Sequence, residues 1–262
     1  MTILARILAE KEKEVVQLRQ SSFKQNLLTE KKPTLFSQLK ASKELQVIAE
    51  IKRASPSKGL IRGDVNPVAQ ALQYEKGGAA CISVLTDAKF FKGSFEDLTA
   101  VAQAVRLPVL CKDFIINSIQ IDRAYAAGAS VVLLIVSALP EEKLKILHEY
   151  AVTLGLEVLV EVHDVQELEQ ALRVGAKLIG VNNRNLKTFE VDLQNTAEIA
   201  ARFPFHEDRV LISESGIIDA LDAETVGRVG ARGILVGESL MREQDVVKAL
   251  STLKVSLNGV IV

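Results

Sequence analysis

Eight short runs of apolar, mostly β-branched residues recur along this chain, with helical patterning between them. They are VIAEI (47–51), CISVL (81–85), PVLCK (108–112), VVLLI (131–135), EVLVE (157–161), LIGVN (178–182), VLISE (210–214) and GILVG (233–237). Near-continuous apolar runs that alternate with helices mark strands buried on both faces, and hence a parallel sheet covered by helices. The punctuation repeats too. GGAACISV, AGASVVLL, VGAKLIGV and VGARGILV each set a glycine just ahead of a strand, at Gly78, Gly128, Gly175 and Gly230. Glycine there ends the preceding helix in the left-handed conformation. Helix starts are also legible. Asn66 precedes Pro67, a cap followed by proline in the first turn. Asp164 and Glu167 read as a capping-box-like pair ahead of LEQAL. Pro140 opens PEEKLKILHEYAVTLG, an amphipathic helix ended by Gly155.

Eight strand–helix units fit an α/β fold, a single (β/α)8 TIM barrel, whose typical size is about 250 residues. An open doubly wound sheet would need an edge strand and a Gly-x-Gly-x-x-Gly turn after the first strand; neither is evident. Residues 1–45 precede the first strand and are expected to form an N-terminal helical extension to a barrel domain of 46–262. Ile3, Leu4, Ile7 and Leu8 form one helical face there, so the expectation is a helix laid over the barrel surface.

The 262 residues are 48% hydrophobic, ample for a full core, and carry a net charge of -1. A balance so near neutral argues against an electrostatic nucleic-acid partner. No apolar run reaches the length of a membrane span. The opening MTILARILAEKEKEVVQLRQ is broken by charge and lacks a signal-peptide core. Cys81 and Cys111 sit in apolar runs with no nearby histidine pair, which suits neither a disulfide framework nor a metal site. The expectation is a cytoplasmic monomer with buried thiols, a small-molecule substrate, and no metal, nucleic-acid or membrane partner.

In this fold the C-terminal ends of the strands face the active-site mouth. Charge collects there. The first strand ends in Glu50 and Lys52, the third in Lys112, the fifth in Glu161, the sixth in Asn182 and Arg184, and the seventh in Glu214 and Ser215. Glu50 and Lys52, two apart, share a strand face. Three cations thus face three carboxylates. A buried ion network is a poor way to gain stability, whereas such proximity moves pKa values as a lysine acid and a glutamate base require.

SESG (213–216) and VGESLM (236–241) place glycine-containing turns after the seventh and eighth strands, where barrels commonly hold phosphate. The backbone N–H groups of Gly216, Gly237 and Glu238 are the candidates, with Ser239 as a hydroxyl donor. A carboxylate beside phosphate is repulsive, so the Glu238 side chain is expected to turn outward. TDAKFFKGSFEDL (86–98) brings Phe90, Phe91 and Phe95 into a chain with 5% aromatics, and Phe114 follows Lys112. Phe91 and Phe114 suit an apolar wall for a flat ligand; Phe90 and Phe95 suit packing under the loop. His148 and His206 read as helix-face and loop residues, and His163 as a residue that orients its loop.

The segments AEIKRASPSKG, LTDAKFFKGSFEDL, PVLCKDFIINSIQIDRAYAAGAS, EVLVEVHD, IGVNNRNLKTFEVD, ISESGI and ILVGESLMR, in order from about residue 3 to 250, resemble the signature segments of the indole-3-glycerol phosphate synthases. The resemblance implies a lyase of tryptophan biosynthesis acting on 1-(2-carboxyphenylamino)-1-deoxyribulose 5-phosphate, releasing carbon dioxide and water. No cofactor is implied, because the substrate's own nitrogen serves as electron sink. It further implies Lys112 as general acid, Glu161 as the base of the closing step, and Lys52 as the other candidate acid. Glu50 and Glu214 would orient the lysines. Ser55, Phe91, Phe114, Leu133, Asn182, Arg184 and Ser215 would contact substrate, Arg184 with its planar fork suiting a carboxylate. Which lysine delivers which proton stays open at this level. Two other readings share the phosphate turns. One is a sugar-phosphate isomerase on the same barrel, which has no need of the aromatic loop or so many rim cations. The other is a non-catalytic barrel that binds a phosphorylated metabolite, which would keep Gly216 and Gly237 but could lose the acid or base.

Overall fold

The eight apolar runs do close on themselves. A computed structural model describes residues 2–20, 23 and 32–257; the expected extension (1–45) and barrel domain (46–262) therefore run partly outside the described residues. The barrel strands are β1 (Gln46–Ile51), β2 (Cys81–Leu85), β3 (Val109–Lys112), β4 (Val131–Ile135), β5 (Glu157–Val162), β6 (Leu178–Asn182), β7 (Val210–Glu214) and β8 (Gly233–Val236). All pair in parallel, and β8 returns to β1. The outer helices are α3 (Pro67–Lys76), α5 (Phe95–Ala104), α6 (Ser118–Ala126), α7 (Glu141–Thr153), α8 (Val165–Arg173), α9 (Gln194–Ala200), α10 (Ala220–Arg228) and α12 (Val246–Leu253). Two short helices, α4 (Ala88–Phe91) and α11 (Glu238–Arg242), stand at the mouth.

Local chemistry sets the boundaries. Asn66 accepts a hydrogen bond from Ala69 N–H with Pro67 at the first helical position. The four repeated glycines all take positive φ, from 77° at Gly78 to 104° at Gly230, and Gly155 does the same after α7. The Asp164–Glu167 pair departs from a reciprocal box. Asp164 caps α8 through Glu167 N–H, but Glu167 turns its carboxylate to His163, one residue further back.

There are two cores. One lies between strands and helices. The other fills the barrel lumen with Ile48, Leu110, Leu133, Leu159, Leu178, Ile212 and Leu235. The extension serves both ends of that lumen. α2 (Leu35–Ala41) plugs the floor with Leu35 and Leu39, both fully buried. Its free N-terminal donors, Leu35 N–H and Phe36 N–H, meet the Glu157 carboxylate at 2.6 and 2.8 Å, the favourable sign at a helix start. α1 (Ile3–Leu18) lies at the other end. Ile3, Leu4 and Ile7 line the mouth cavity, while Leu8 and Val15 pack against the outer core.

Candidate active site

Register carries the rim charges to one level. Glu50 pairs with Ser83, Leu85 with Lys112, Ile135 with Glu161, and Asn182 with Glu214 across successive or neighbouring strands. The residue above the apolar lumen on each of β1, β3, β5 and β7 is thus ionisable. Lys112 Nζ stands 3.4 Å from Glu214, 3.7 Å from Glu50 and 3.9 Å from Glu161. Lys52 Nζ lies 2.6 Å from the other Glu50 oxygen, so Glu50 bridges the two lysines. That answers why a buried strand ends in paired charges: each is compensated by the others.

The third cation is not Arg184. Its guanidinium donates to the Phe189 carbonyl at 3.2 Å and makes no ion pair with the rim carboxylates. The position is taken by His163, whose Nε2 is 3.3 Å from Glu161 and Nδ1 2.9 Å from Glu167. Sequence reasoning gave His163 to the loop alone; its four-residue spacing to Glu167 on α8 was the available signal.

The carboxyls diverge in charge state. Burial would raise all three, but Lys52 and Lys112 outweigh it at Glu50 and hold it below its ordinary value. At Glu161 burial is overcome by the adjacent His163 ring and by Lys112, bringing it down to about 2. At Glu214 burial wins over Lys112, with Glu161 and Glu50 adding repulsion, so it is pushed up to about 7. Lys112 stays above the ordinary lysine range because Glu214, Glu50 and Glu161 exceed its desolvation. Neighbouring carboxyls driven apart in this way can divide acid and base roles.

The candidate catalytic, substrate-binding and phosphate-binding residues line one cavity: Glu50, Lys52, Ser55, Phe91, Lys112 and Phe114 on one side, then Leu133, Glu161, Asn182 and Arg184, then Glu214, Ser215, Gly216, Gly237, Glu238 and Ser239. Phe91 and Phe114 form a tilted pair, centroids 5.9 Å apart. Phe95 instead packs against the outer core and under Arg123. Asn182 links the polar side: it donates to Glu161 at 3.1 Å and accepts from Ser215 Oγ at 2.9 Å. Ser215 and Gly216 are both left-handed, φ 66° and 89°, which turns the chain sharply after β7. The Glu238 carboxylate is drawn to Arg242 at 3.2 Å and Lys58 at 3.8 Å, and Ser239 donates its hydroxyl to the Ile217 carbonyl at 3.1 Å.

One residue of the extension anchors this wall. Lys11, with its side chain 1% exposed, meets Asp87 at 2.9 Å, Asp113 at 2.8 Å and Glu14 at 2.8 Å. Asp87 caps α4, which carries Phe91, and Asp113 accepts from Phe114 N–H. Lys11 was not legible from sequence, because Asp87 and Asp113 lie far from it in the chain.

A family model described as indole-3-glycerol phosphate synthase matches residues 4–253. Proteins of that name from Oceanobacillus iheyensis and Bacillus cereus strain AH820 are 49% and 50% identical over 257 residues, covering 98% of this chain and 98% and 99% of theirs. Among solved structures, a thiamine phosphate pyrophosphorylase from Pyrococcus furiosus aligns with a TM-score of 0.57 at 21% identity, covering 80% of this chain and 93% of that one. An N-acetylmannosamine-6-phosphate 2-epimerase from Clostridium perfringens aligns at 0.60 and 15%, covering 82% and 95%. These two share the fold alone.

Proposed function

The chain belongs to the indole-3-glycerol phosphate synthase family, and from that premise we propose that Lys112 is its general acid and Glu161 the base of its closing step. The reaction is the decarboxylating ring closure and dehydration of 1-(2-carboxyphenylamino)-1-deoxyribulose 5-phosphate in tryptophan biosynthesis. The observation that carries the assignment is the position of Lys112, one ammonium set among Glu50, Glu161 and Glu214 over a closed apolar lumen.

The ring carbon bearing the carboxylate attacks the C2 carbonyl, and the oxygen gains an electron pair. Lys112 supplies the proton; a developing alkoxide is more basic than an amine, so an ammonium with a raised pKa still donates. Carbon dioxide leaves and its bonding electrons restore the aromatic ring. The substrate nitrogen then pushes out hydroxide, which takes a second proton from Lys52, the other rim ammonium, to depart as water and leaves a cationic ring. The neighbouring C–H of that cation is acidic, so a weakly basic carboxylate suffices as acceptor provided it is ionised. Glu161 meets that condition. Its lowered value is a consequence of charge, not a handicap, because the proton comes from a cation.

Lys52, bridged to Lys112 through Glu50, assists with the charge of the anionic substrate. Glu214 completes the cage around Lys112. Phe91, Phe114 and Leu133 hold the aromatic ring. Arg184, with Ser55, Asn182 and Ser215, binds substrate oxygens. The phosphate sits on the turns at Gly216 and Gly237, taken by backbone N–H groups that include Glu238, with Ser239 beside them. The barrel domain of 46–262 carries the chemistry, and α1 and α2 of the 1–45 extension cover its mouth and floor. The whole acts as a cytoplasmic monomer without a cofactor. Indole fluorescence after addition of substrate tests the reaction; its absence across about pH 6 to 9 would reject it.

A further inference from the structure

We propose that His163 is a positioning residue for this reaction: a doubly protonated ring, clamped between Glu161 and Glu167, that fixes Glu161 as the ionised carboxylate and leaves its second oxygen toward Lys112. The inference rests on the reading above in which Glu161 accepts the proton.

The placement of the ring between two carboxylates favours the charged form. Nε2 is 3.3 Å from Glu161 Oε1 and Nδ1 is 2.9 Å from Glu167 Oε2. Ionised carboxylates only accept, and a neutral imidazole has one N–H. Nδ1 hydrogen-bonds Glu167, and Nε2, though outside hydrogen-bond geometry, would otherwise turn a lone pair toward a buried carboxylate oxygen at 3.3 Å, so the contact calls for a second proton. Glu167 is itself held, since its Oε2 also accepts the His163 backbone N–H at 2.8 Å while Asp164 caps its helix. On the far side, Asn182 donates to the same Glu161 oxygen at 3.1 Å. One oxygen of Glu161 thus accepts from Asn182 and lies in ion contact with His163, and the other faces Lys112 at 3.9 Å.

Glu214 stands 3.4 Å from the same Lys112 and is equally buried, yet its Oε1 has no hydrogen-bond partner among the described residues. The two carboxylates differ chiefly in His163 and Asn182. A proton entering this cluster goes to Glu214, and Glu161 stays charged. The directions of both carboxyls, and of His163, pushed up to about 10, agree with that division.

The charged groups around the ring are accounted for. Glu161 on β5, with Lys112 and Glu214 behind it, faces Nε2; Asp164 and Glu167 come from α8. Across the polar cleft on the outer side stand Arg184, Lys187, Glu190 and Asp192 of the segment after β6. The turn at 136–138 and α1 bring uncharged groups there, Ser137, Thr2 and Leu4.

The test uses the full chain. With three histidines present, ring-nitrogen NMR with His163→Gln for assignment follows each one. The His163 ring is expected to stay doubly protonated to about pH 9, and to titrate about one unit lower in Glu167→Gln. A neutral His163 ring at about pH 8 in the wild type overturns the proposal. In kinetics, His163→Gln is expected to lower kcat about tenfold at about pH 6, to leave KM within about threefold, and to recover toward alkaline pH as Glu161 gives up the proton it now holds. A wild-type kcat–pH profile in His163→Gln overturns the proposal; if that variant does not fold, Glu167→Gln is read the same way, with a smaller shift expected. Glu161→Gln separates the two readings. Full kcat in Glu161→Gln ends the assignment of Glu161 as base, whereas an inactive Glu161→Gln beside an unshifted His163→Gln ends the His163 proposal alone.

Discussion

Gly180 on β6 faces Glu214 on β7 so closely that a Cβ atom at position 180 would overlap the Oε1 atom of that carboxylate. Gly180 is also the residue paired with Glu161 across β5 and β6. The missing side chain is what lets two carboxylates approach Lys112 from the strands on either side of β6. Gly180→Ala is therefore expected to push Glu214 out of place, lowering kcat by about tenfold or more with a stability loss of about 1–3 kcal/mol from overpacking. Steady-state kinetics beside thermal unfolding reads both. An alanine variant with unchanged kcat would show that the Glu214 position is not needed.

Lys112 faces three carboxylates, so its removal has two effects. Lys112→Met takes away the proposed proton donor, worth about 10²–10⁴ in kcat, while KM stays within about tenfold because the aromatic wall and phosphate turns are untouched. It also leaves Glu50, Glu161 and Glu214 to repel one another in a buried site. The variant is expected to bind about one extra proton on folding near neutral pH, as those carboxyls take up charge-relieving hydrogens. A potentiometric difference titration against wild type would detect it; turnover close to wild type would remove Lys112 from the acid role.

The two coupled glutamates make opposite contributions to stability as pH changes. Glu161, about 2 in the fold against an ordinary 4.5, adds stability above the ordinary value that is lost as pH falls from 4.5 toward 2. Glu214, about 7 against 4.5, does the reverse: its contribution is complete below 4.5 and is lost as pH rises through 7. Glu214→Gln keeps the shape and never ionises. It is expected to match the wild-type Tm at about pH 5 and to exceed it by at least about 2 °C at about pH 8, at the expense of activity. Scanning calorimetry at the two pH values reads the difference, and a variant less stable than wild type at both would contradict it.

Much of this was readable from sequence, for physical reasons. The strands stood out because a parallel barrel buries both strand faces, so VVLLI and its counterparts are apolar without alternation. The rim was readable because a charge at the last position of such a run, as at Lys112 or Glu161, has no apolar explanation. The site of α1 was not readable. Periodicity says which face of Ile3–Leu18 is buried, and nothing about which end of the barrel receives it. His163 was misjudged because capping grammar directs Glu167 to the Asp164 backbone, while the fold gives that carboxylate both the backbone and the ring of His163. Arg184 looked like a rim cation, but its guanidinium is engaged by the Phe189 carbonyl in the loop after β6.

Lys11 joins the extension to the chemistry, and it can be tested apart from the rim. Burial alone would strip its charge, but Asp113 and Asp87 outweigh that and keep it protonated. Asp113 is held at once by Lys11, by the Thr86 hydroxyl at 2.6 Å and by Phe114 N–H at 2.7 Å. Asp87, fully buried, holds Phe90 N–H at 2.7 Å at the start of α4. Lys11→Met leaves two buried aspartates without their cation, a change that costs about 3–5 kcal/mol in comparable pairs. For a chain of this size that is a fall in Tm on the order of 10 °C. Lys13, two residues on, is 70% exposed and paired with Glu10 at the surface; Lys13→Met is expected to leave Tm where it was, since exposed pairs contribute little. The loss of Lys11 also frees the turns that carry Phe91 and Phe114, so KM is expected to rise more than kcat falls. Thermal unfolding and steady-state kinetics on both variants decide it. Equal Tm values for the two would show that the buried lysine is not what fastens α1 over the mouth.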